Sequence, residues 1–434
     1  MRAAMGLLVC AGPLMVFPEL VPAGARTWAV TTATMTALGV GWLLLFHIRT
    51  VRFGLGLFIG ALAAGWLLLP NQDPVGLRHF GGVGAGVLTM AVLASWARTA
   101  GRLSFAATVF ALAAIAVLTL GSMNAFINNS KFITGADQRV WSTPVAPMLP
   151  LIMMGLPGME RNEGQVNQNA LAGTALMLAP TCAGLVAAAF FVRRHRYVMA
   201  VPGALAVLIA FAVLARTLSR TAWLAAIVML VLLAVRFRRT RYWVLGALIA
   251  TAVATIAVSQ LRSADFGDGV RSVTASLETR EAIWKAGARR LWESPWLGAG
   301  INQFHELTPG DGAPPISHAH NMLLQVALDV GVAGAIGYGV LISTLLARAS
   351  RLAHRADLVG RIGAGAGLSL AGVHLFGLAD AIALGAKVGA FQWLCSGLIL
   401  AASQLTLQAP AATASESAIT DARPQPPPAT TPPP

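Results

Sequence analysis

The chain has 434 residues, of which 56% are hydrophobic and only 11% are charged. A soluble domain carries about 25% charged residues, so this composition excludes an ordinary soluble protein and predicts an all-α polytopic membrane protein. The net charge of +14 indicates arginine in cytoplasmic loops rather than nucleic-acid binding, because few aromatic residues lie among the basic ones.

Apolar runs long enough to cross a membrane recur about twelve times, since one span needs roughly 20 apolar residues. The first nine predicted spans lie near residues 3–22, 28–47, 53–69, 80–97, 103–122, 169–192, 198–215, 221–235 and 243–260. The last three lie near 321–346, 362–382 and 386–404. We therefore predict a transmembrane domain over residues 1–404.

Arginine clusters occur on alternate connections between these spans. They are Arg49 with Arg52, Arg98 with Arg102, Arg193–Arg196, Arg236–Arg241 and Arg348–Arg361. Because cytoplasmic loops carry an excess of basic residues, this pattern places both termini in the cytoplasm. The tail over 405–434 is rich in Pro, Ala and Thr, which predicts disorder.

Two long regions fall on the opposite, outer side, over about residues 123–168 and 261–320. The first contains Pro144–Leu156, an apolar piece with three prolines that is too short to span. It predicts a re-entrant or interfacial segment, which is tolerable only where protein covers its backbone. The second region is the largest polar part of the chain.

Arginine persists on the outer side, although the positive-inside bias should remove it. The residues concerned are Arg216, Arg220, Arg262, Arg271, Arg280, Arg289 and Arg290. Most are expected to be solvated, but Arg220 lies at the mouth of a span and Arg280 opens an amphipathic helix pattern. Guanidinium binds phosphate oxygens two at a time, so both predict contact with an anionic group.

Two histidines, His318 and His320, lie where the second outer region meets the next span. Histidine exchanges protons near neutral pH, so either could act as a general base. A His-x-His pair could also bind zinc. The sequence shows no third ligand of fitting spacing, so we expect no metal.

Four short elements resemble motifs of one family. They are Ser219-Arg220-Thr221-Ala222-Trp223, Arg280-x3-Trp284 followed by Pro295-Trp296-Leu297-Gly298-x-Gly300-x3-Phe304, His320-Asn321-x9-Gly331-x2-Gly334, and Gly164-Gln165-Val166-Asn167-Gln168-Asn169-x-Leu171-Ala172. In this order they resemble the O-antigen ligase and polymerase superfamily, which also holds bacterial O-linked oligosaccharyltransferases. The resemblance covers about residues 160–340, together with the topology of twelve spans and one large late periplasmic loop.

The resemblance implies an O-antigen ligase in the bacterial inner membrane, with a metal-independent, inverting reaction at the periplasmic face and no cofactor. The implied donor is a glycan on undecaprenyl pyrophosphate, and the implied acceptor is a sugar hydroxyl of the lipid A core. By motif, His320 is the general base, while Arg220 and Arg280 hold the pyrophosphate. His318 is then a bystander, because the motif aligns on the histidine directly before asparagine.

Several other residues are candidates for the acceptor or donor path. They are His318, Arg216, Asn169, Arg161 and Arg139. For the loop arginines a solvated role is the simpler interpretation, and Asn169 could simply cap a helix. Asp329 and Asp380 fall inside predicted spans, where an acid needs a partner. Asp329 lies too far below His320 to orient its ring, so we favour a structural role in pairing its helix with another helix.

Alternative functions remain at this stage. An O-antigen polymerase or an O-linked oligosaccharyltransferase of the same superfamily would use similar groups on another acceptor. The Pro-rich tail argues against the oligosaccharyltransferases, which often carry a soluble C-terminal region. A polytopic lipid or ion transporter would suit the two intramembrane acids, but such a path needs charged residues at depth, and here they gather at the outer face.

Overall fold

The computed structural model describes residues 1–69, 73–128, 168–217, 219–236, 242, 246, 266–303, 318–382 and 384–421. Across these residues the regular structure is helical and contains no strand. The predicted ninth span at 243–260 and the segment Pro144–Leu156 both lie outside the described residues, apart from the isolated position 246.

Twelve α-helices occur in these described ranges, together with two short 3₁₀ turns. The first six helices are α1 (Arg2–Val16), α2 (Ala23–Leu45), α3 (Arg49–Leu68), α4 (Pro74–Trp96), α5 (Ala100–Asn128) and α6 (Gln168–Ala189). The others are α7 (Arg196–Thr217), α8 (Arg220–Arg236), α9 (Phe266–Glu293), α10 (Met322–Leu352), α11 (Leu358–Phe376) and α12 (Ala390–Asp421).

Nine of the described helices are long and apolar enough to cross a membrane, and α1 and α8 are shorter apolar helices. The eleven helices other than α9 correspond in order to the predicted spans that fall on described residues. The prediction of an all-α polytopic membrane protein is confirmed. Apolar run length identifies these helices because a lipid-exposed backbone must satisfy its own hydrogen bonds.

Small residues allow the central helices to approach closely. Gly54 of α3 faces the backbone of Gly337 in α10, and Gly184 of α6 faces Gly365 of α11. A methyl group at any of these positions would collide with the opposing helix, so the glycines permit backbone contact. Trp393 of α12 is 1% exposed. Its helix packs against α4 and α11, so α12 lies inside the bundle.

A kink at a glycine in α10 is hydrogen-bonded to the segment that follows α9. Gly331 interrupts the α10 backbone with φ 70° and ψ 175°. Residues other than glycine rarely adopt this backbone conformation. The freed groups are satisfied by the preceding loop, since Ala299 N donates to Leu328 O at 2.6 Å and Val332 N donates to Pro295 O at 2.8 Å. The motif that begins at Pro295 is therefore hydrogen-bonded directly to the kink at Gly331.

Two helix ends differ from the sequence-based boundaries. α11 ends at Phe376, whereas the predicted span reaches residue 382, so Asp380 lies in the connection to α12. α12 continues to Asp421, past the predicted boundary at 404, through a stretch rich in alanine, a strong helix former. Residues 422–434 of the predicted disordered tail lie outside the described residues.

Candidate active site

His318 and His320 converge on one carboxylate at the start of α10. Asp380 Oδ1 lies 3.2 Å from His318 Nε2 and 3.1 Å from His320 Nδ1. The two ring centroids are 4.2 Å apart. Asp380 itself is 2% exposed, while the histidine side chains are 20% and 22% exposed. The carboxylate is therefore buried beneath two imidazoles that are partly exposed to solvent.

The carboxylate is ionised in this setting. Burial alone would raise the pKa of Asp380, but hydrogen bonds and charge from His318 and His320 outweigh that effect and hold the pKa well below its ordinary value. An ionised carboxylate only accepts hydrogen bonds, so each ring nitrogen facing it carries a proton. For a neutral His320 ring this contact selects the Nδ1–H tautomer, in which Nε2 keeps its lone pair.

The connection between α11 and α12 is fastened to the start of α10. Asn321 caps α10 by accepting from Leu324 N at 3.0 Å, and its Nδ2 donates to Leu378 O at 3.1 Å. Met322 N donates to Gly377 O at 2.6 Å. These bonds explain why asparagine follows His320 in the motif, because one side chain both starts the helix and holds the chain that delivers Asp380.

The backbone between the histidines is held from two sides. Trp284 Nε1 donates to Ala319 O at 3.1 Å, and Ala319 N donates to Gln325 Oε1 at 2.8 Å. His320 has φ 48°, the left-handed region that is strained for a residue with a side chain. Such strain persists only where the surroundings over-determine it, and it clusters at functional sites.

Asp329 supports this arrangement without touching the histidines. Its Oδ1 accepts from Gln325 Nε2 at 2.9 Å and from Asn302 N at 3.0 Å. Gln325 thus links Ala319 to Asp329 in one buried chain of hydrogen bonds. The sequence predicted pairing with another helix, whereas the described partners of this carboxylate are a loop amide and a residue of the same helix.

Arg280 lies one turn before Trp284 on α9, the helix that contacts the histidine segment. It is half-buried, whereas Arg289 and Arg290 further along α9 are exposed. The amphipathic helix predicted to start at Arg280 is present as part of α9. It begins earlier, at Phe266. The contact of α9 with the histidine segment is made by Trp284, and the described contacts do not join Arg280 to His318 or His320.

Arg220 is the first residue of α8 and is exposed. Its neighbours explain the motif: Ser219 is buried and lies within 3.5 Å of Ala222 N, and Trp223 packs edge-on against Phe211 at 6.3 Å. Serine and tryptophan fix the helix start, and the guanidinium stays available beside backbone amides that favour an anion. α8 packs against α6 and α11, but the described contacts do not join Arg220 to His320.

The remaining candidates are distributed differently. Arg216 lies in the last turn of α7 and is exposed. Asn169 is half-buried in the first turn of α6. Arg139 and Arg161 lie outside the described residues, as do the first four positions of the element that begins at Gly164.

Sequence reasoning missed Asp380 as a partner of the histidines. It is 60 residues from His320, and the predicted span placed it inside the membrane. The available signal was its position just after an apolar run that ends in Gly377.

Residues 204–339 match the model of a family described as O-antigen ligase. This match supports the O-antigen ligase superfamily for the chain. The resemblance predicted from the motifs is thereby confirmed. No curated protein matches the chain.

The match defines which site residues belong to the superfamily segment. Arg220, Arg280 and His320 fall within residues 204–339. Asp380 and the element that begins at Gly164 fall outside them. The O-antigen ligase superfamily and the many apolar helices together indicate a multi-pass membrane protein of glycosyltransferase-like chemistry.

Proposed function

We propose that this chain is an O-antigen ligase that transfers a glycan from undecaprenyl pyrophosphate to a sugar hydroxyl of the lipid A core. The observation that carries the proposal is the state of His320. Its Nδ1 is held by Asp380, and its Nε2 has no hydrogen-bond partner among the described residues. A ring nitrogen held ready in this way is what a general base requires.

The reaction follows from that geometry. The acceptor hydroxyl gives its proton to His320 Nε2 while its oxygen attacks the anomeric carbon of the donor. The bond from that carbon to the pyrophosphate oxygen breaks, with inversion, and undecaprenyl pyrophosphate leaves with the electron pair. Asp380 stabilises the imidazolium that forms and keeps the ring in its tautomer, as the aspartate of a catalytic triad does.

Arg220 and Arg280 supply the electrostatic part. The leaving pyrophosphate gains negative charge as the bond breaks, and fixed guanidinium groups stabilise that charge more than the ground state. Arg280 is supported by its position one turn before Trp284, the residue through which α9 contacts the histidine segment. Arg220 offers its guanidinium together with the amino end of α8. We place this end of the bundle at the periplasmic face of the inner membrane, with both termini in the cytoplasm.

The proposal is tested by deleting the gene in its host and separating the lipopolysaccharide by size. A ligase predicts loss of all long chains and accumulation of the glycan on its lipid carrier. Complementation with wild type should restore long chains, and complementation with His320→Ala should not. Cores that bear a single repeat unit would instead indicate a polymerase, and unchanged lipopolysaccharide would refute both.

A further inference from the structure

The cluster of His318, His320 and Asp380 contains the donor set of a transition-metal site. One atom from each side chain lies within 4.8 Å of the other two. Two imidazoles with one carboxylate are the ligands that zinc takes in many catalytic sites. Calcium and magnesium prefer oxygen ligands, so the two imidazoles argue against them. The sequence offered the histidine pair but no third ligand of fitting spacing. The fold supplies that ligand from the connection between α11 and α12.

The spacing of these atoms suits coordination. Zinc binds histidine nitrogen and carboxylate oxygen at about 2.0–2.2 Å, so neighbouring ligand atoms in a tetrahedral site lie about 3.4 Å apart. Asp380 Oδ1 is 3.2 Å from His318 Nε2 and 3.1 Å from His320 Nδ1. An ion could therefore enter with small side-chain shifts in place of the two protons.

A second observation points to a missing partner. Asp380 Oδ2 is buried and has no hydrogen-bond partner within the described part of the chain. A buried carboxylate oxygen without a partner is rare and calls for an explanation. Asp380 Oδ1, by contrast, accepts from both histidines and from Ala381 N at 2.9 Å. An ion bound through both carboxylate oxygens would give Oδ2 the partner that it lacks among the described residues, while the partial exposure of both rings leaves a position for water.

We propose that this cluster binds one divalent transition metal ion, with zinc as the fitting ion, and that the bound ion switches transfer off. The switching part rests on the proposed function of His320. A metal on Nδ1 takes that nitrogen's lone pair, so the ring proton moves to Nε2. The nitrogen that should accept the hydroxyl proton is then already protonated, and the base is lost. The ion is thus an inhibitor of a metal-independent reaction rather than its cofactor.

Cobalt(II) absorption tests the binding, because it reports coordination without any need for transfer. The full-length protein, purified in detergent and stripped with chelator, is titrated with Co²⁺. We expect saturable visible bands at one ion per chain, displaced by Zn²⁺. His318→Ala should weaken Co²⁺ binding at least about tenfold. His47→Ala is the matched control, since His47 is exposed on the connection between α2 and α3, and it should bind as wild type does.

Two results would overturn the site: a spectrum that never saturates, or equal loss of binding in His318→Ala and His47→Ala. The inhibitory part is tested by adding Zn²⁺ to a transfer assay on the stripped wild-type protein. We expect transfer to fall as the site fills and to return with chelator. Full transfer at saturating Zn²⁺ would overturn the switch. Failure of the stripped protein to transfer glycan would refute the proposed function, while the cobalt titration would still decide the site.

Discussion

Two histidines near the same end of α10 and α11 differ in how many ring nitrogens they use. His374, within α11, lies 2.8 Å from Tyr338 Oη through Nε2 and 2.6 Å from Leu370 O through Nδ1. Within the described part of the chain, His320 bonds only through Nδ1, to Asp380. A histidine with both nitrogens engaged has no site left for a substrate proton, so His374 is a structural residue and His320 can act as a base.

The difference arises from the local backbone. His374 lies inside a helix, where the carbonyl of Leu370 one turn earlier is within reach of its ring. His320 precedes the cap of α10 in a left-handed conformation. Its ring is held instead by Asp380, whose carboxylate lies 60 residues further along the chain. Among the described residues the ring of His320 therefore bonds through Nδ1 alone.

The sharpest way to break this comparison is to remove each ring in turn. His320→Ala should lower transfer by about 10²–10⁴-fold with normal abundance, because a positioned base contributes that much. His374→Ala should instead reduce thermal stability, since the buried Tyr338 hydroxyl loses its hydrogen bond to His374. Transfer per folded molecule and thermal unfolding in detergent measure the two effects. Equal activity of His320→Ala and wild type would show that His320 is not the general base.

The next largest effect is expected for Asp380→Asn. The amide keeps the shape of the carboxylate but removes the charge that fixes the His320 tautomer, so transfer should fall by about 10²-fold or more. Asp329→Asn is the matched control, because Asp329 is also buried but bonds Gln325 and Asn302. It should lower stability more than transfer. The same loss of transfer in both variants would indicate that Asp380 has only a structural role.

These two acids show how far the sequence leads. The length of apolar runs predicted the spans, and a short motif singled out His320, because both signals are local in the sequence. The sequence placed Asp380 and Asp329 alike inside spans, since hydropathy does not reveal that α11 ends at Phe376. The contact between Asp380 and His320 depends on the bonds that fasten Gly377 and Leu378 to the start of α10. Such tertiary contacts leave no periodic pattern.

Arg280→Lys should have an intermediate effect. Lysine keeps the charge but cannot bind two phosphate oxygens side by side, so donor use should fall about tenfold. Arg289→Lys is the control on the same helix, because Arg289 is exposed two and a half turns further along α9. Transfer rate against donor concentration separates the two variants. A wild-type response from Arg280→Lys would refute bidentate phosphate binding there.

A smaller effect is expected where Gln325 holds the backbone between the histidines. Gln325→Leu keeps the volume but leaves Ala319 N without its acceptor, at a cost of about 1–3 kcal/mol in stability and a several-fold loss of transfer. Gln404→Leu is the control, because Gln404 is buried on α12 with no side-chain partner among the described residues. It should be neutral or stabilising. Transfer lost equally in both would mean that any apolar substitution in the bundle disturbs the enzyme.

The smallest change is expected for Tyr338→Phe, which tests the structural half of the comparison. Removing the hydroxyl leaves His374 Nε2 without its partner, so the free energy of unfolding should fall by about 1–2 kcal/mol. Transfer should be unchanged, because the Tyr338–His374 pair shares no described hydrogen bond with Asp380 or His320. Thermal unfolding and the transfer rate measure both. If transfer fell along with stability, the two histidine sites would be coupled through α11, and the base would depend on the helix that ends four residues before Asp380.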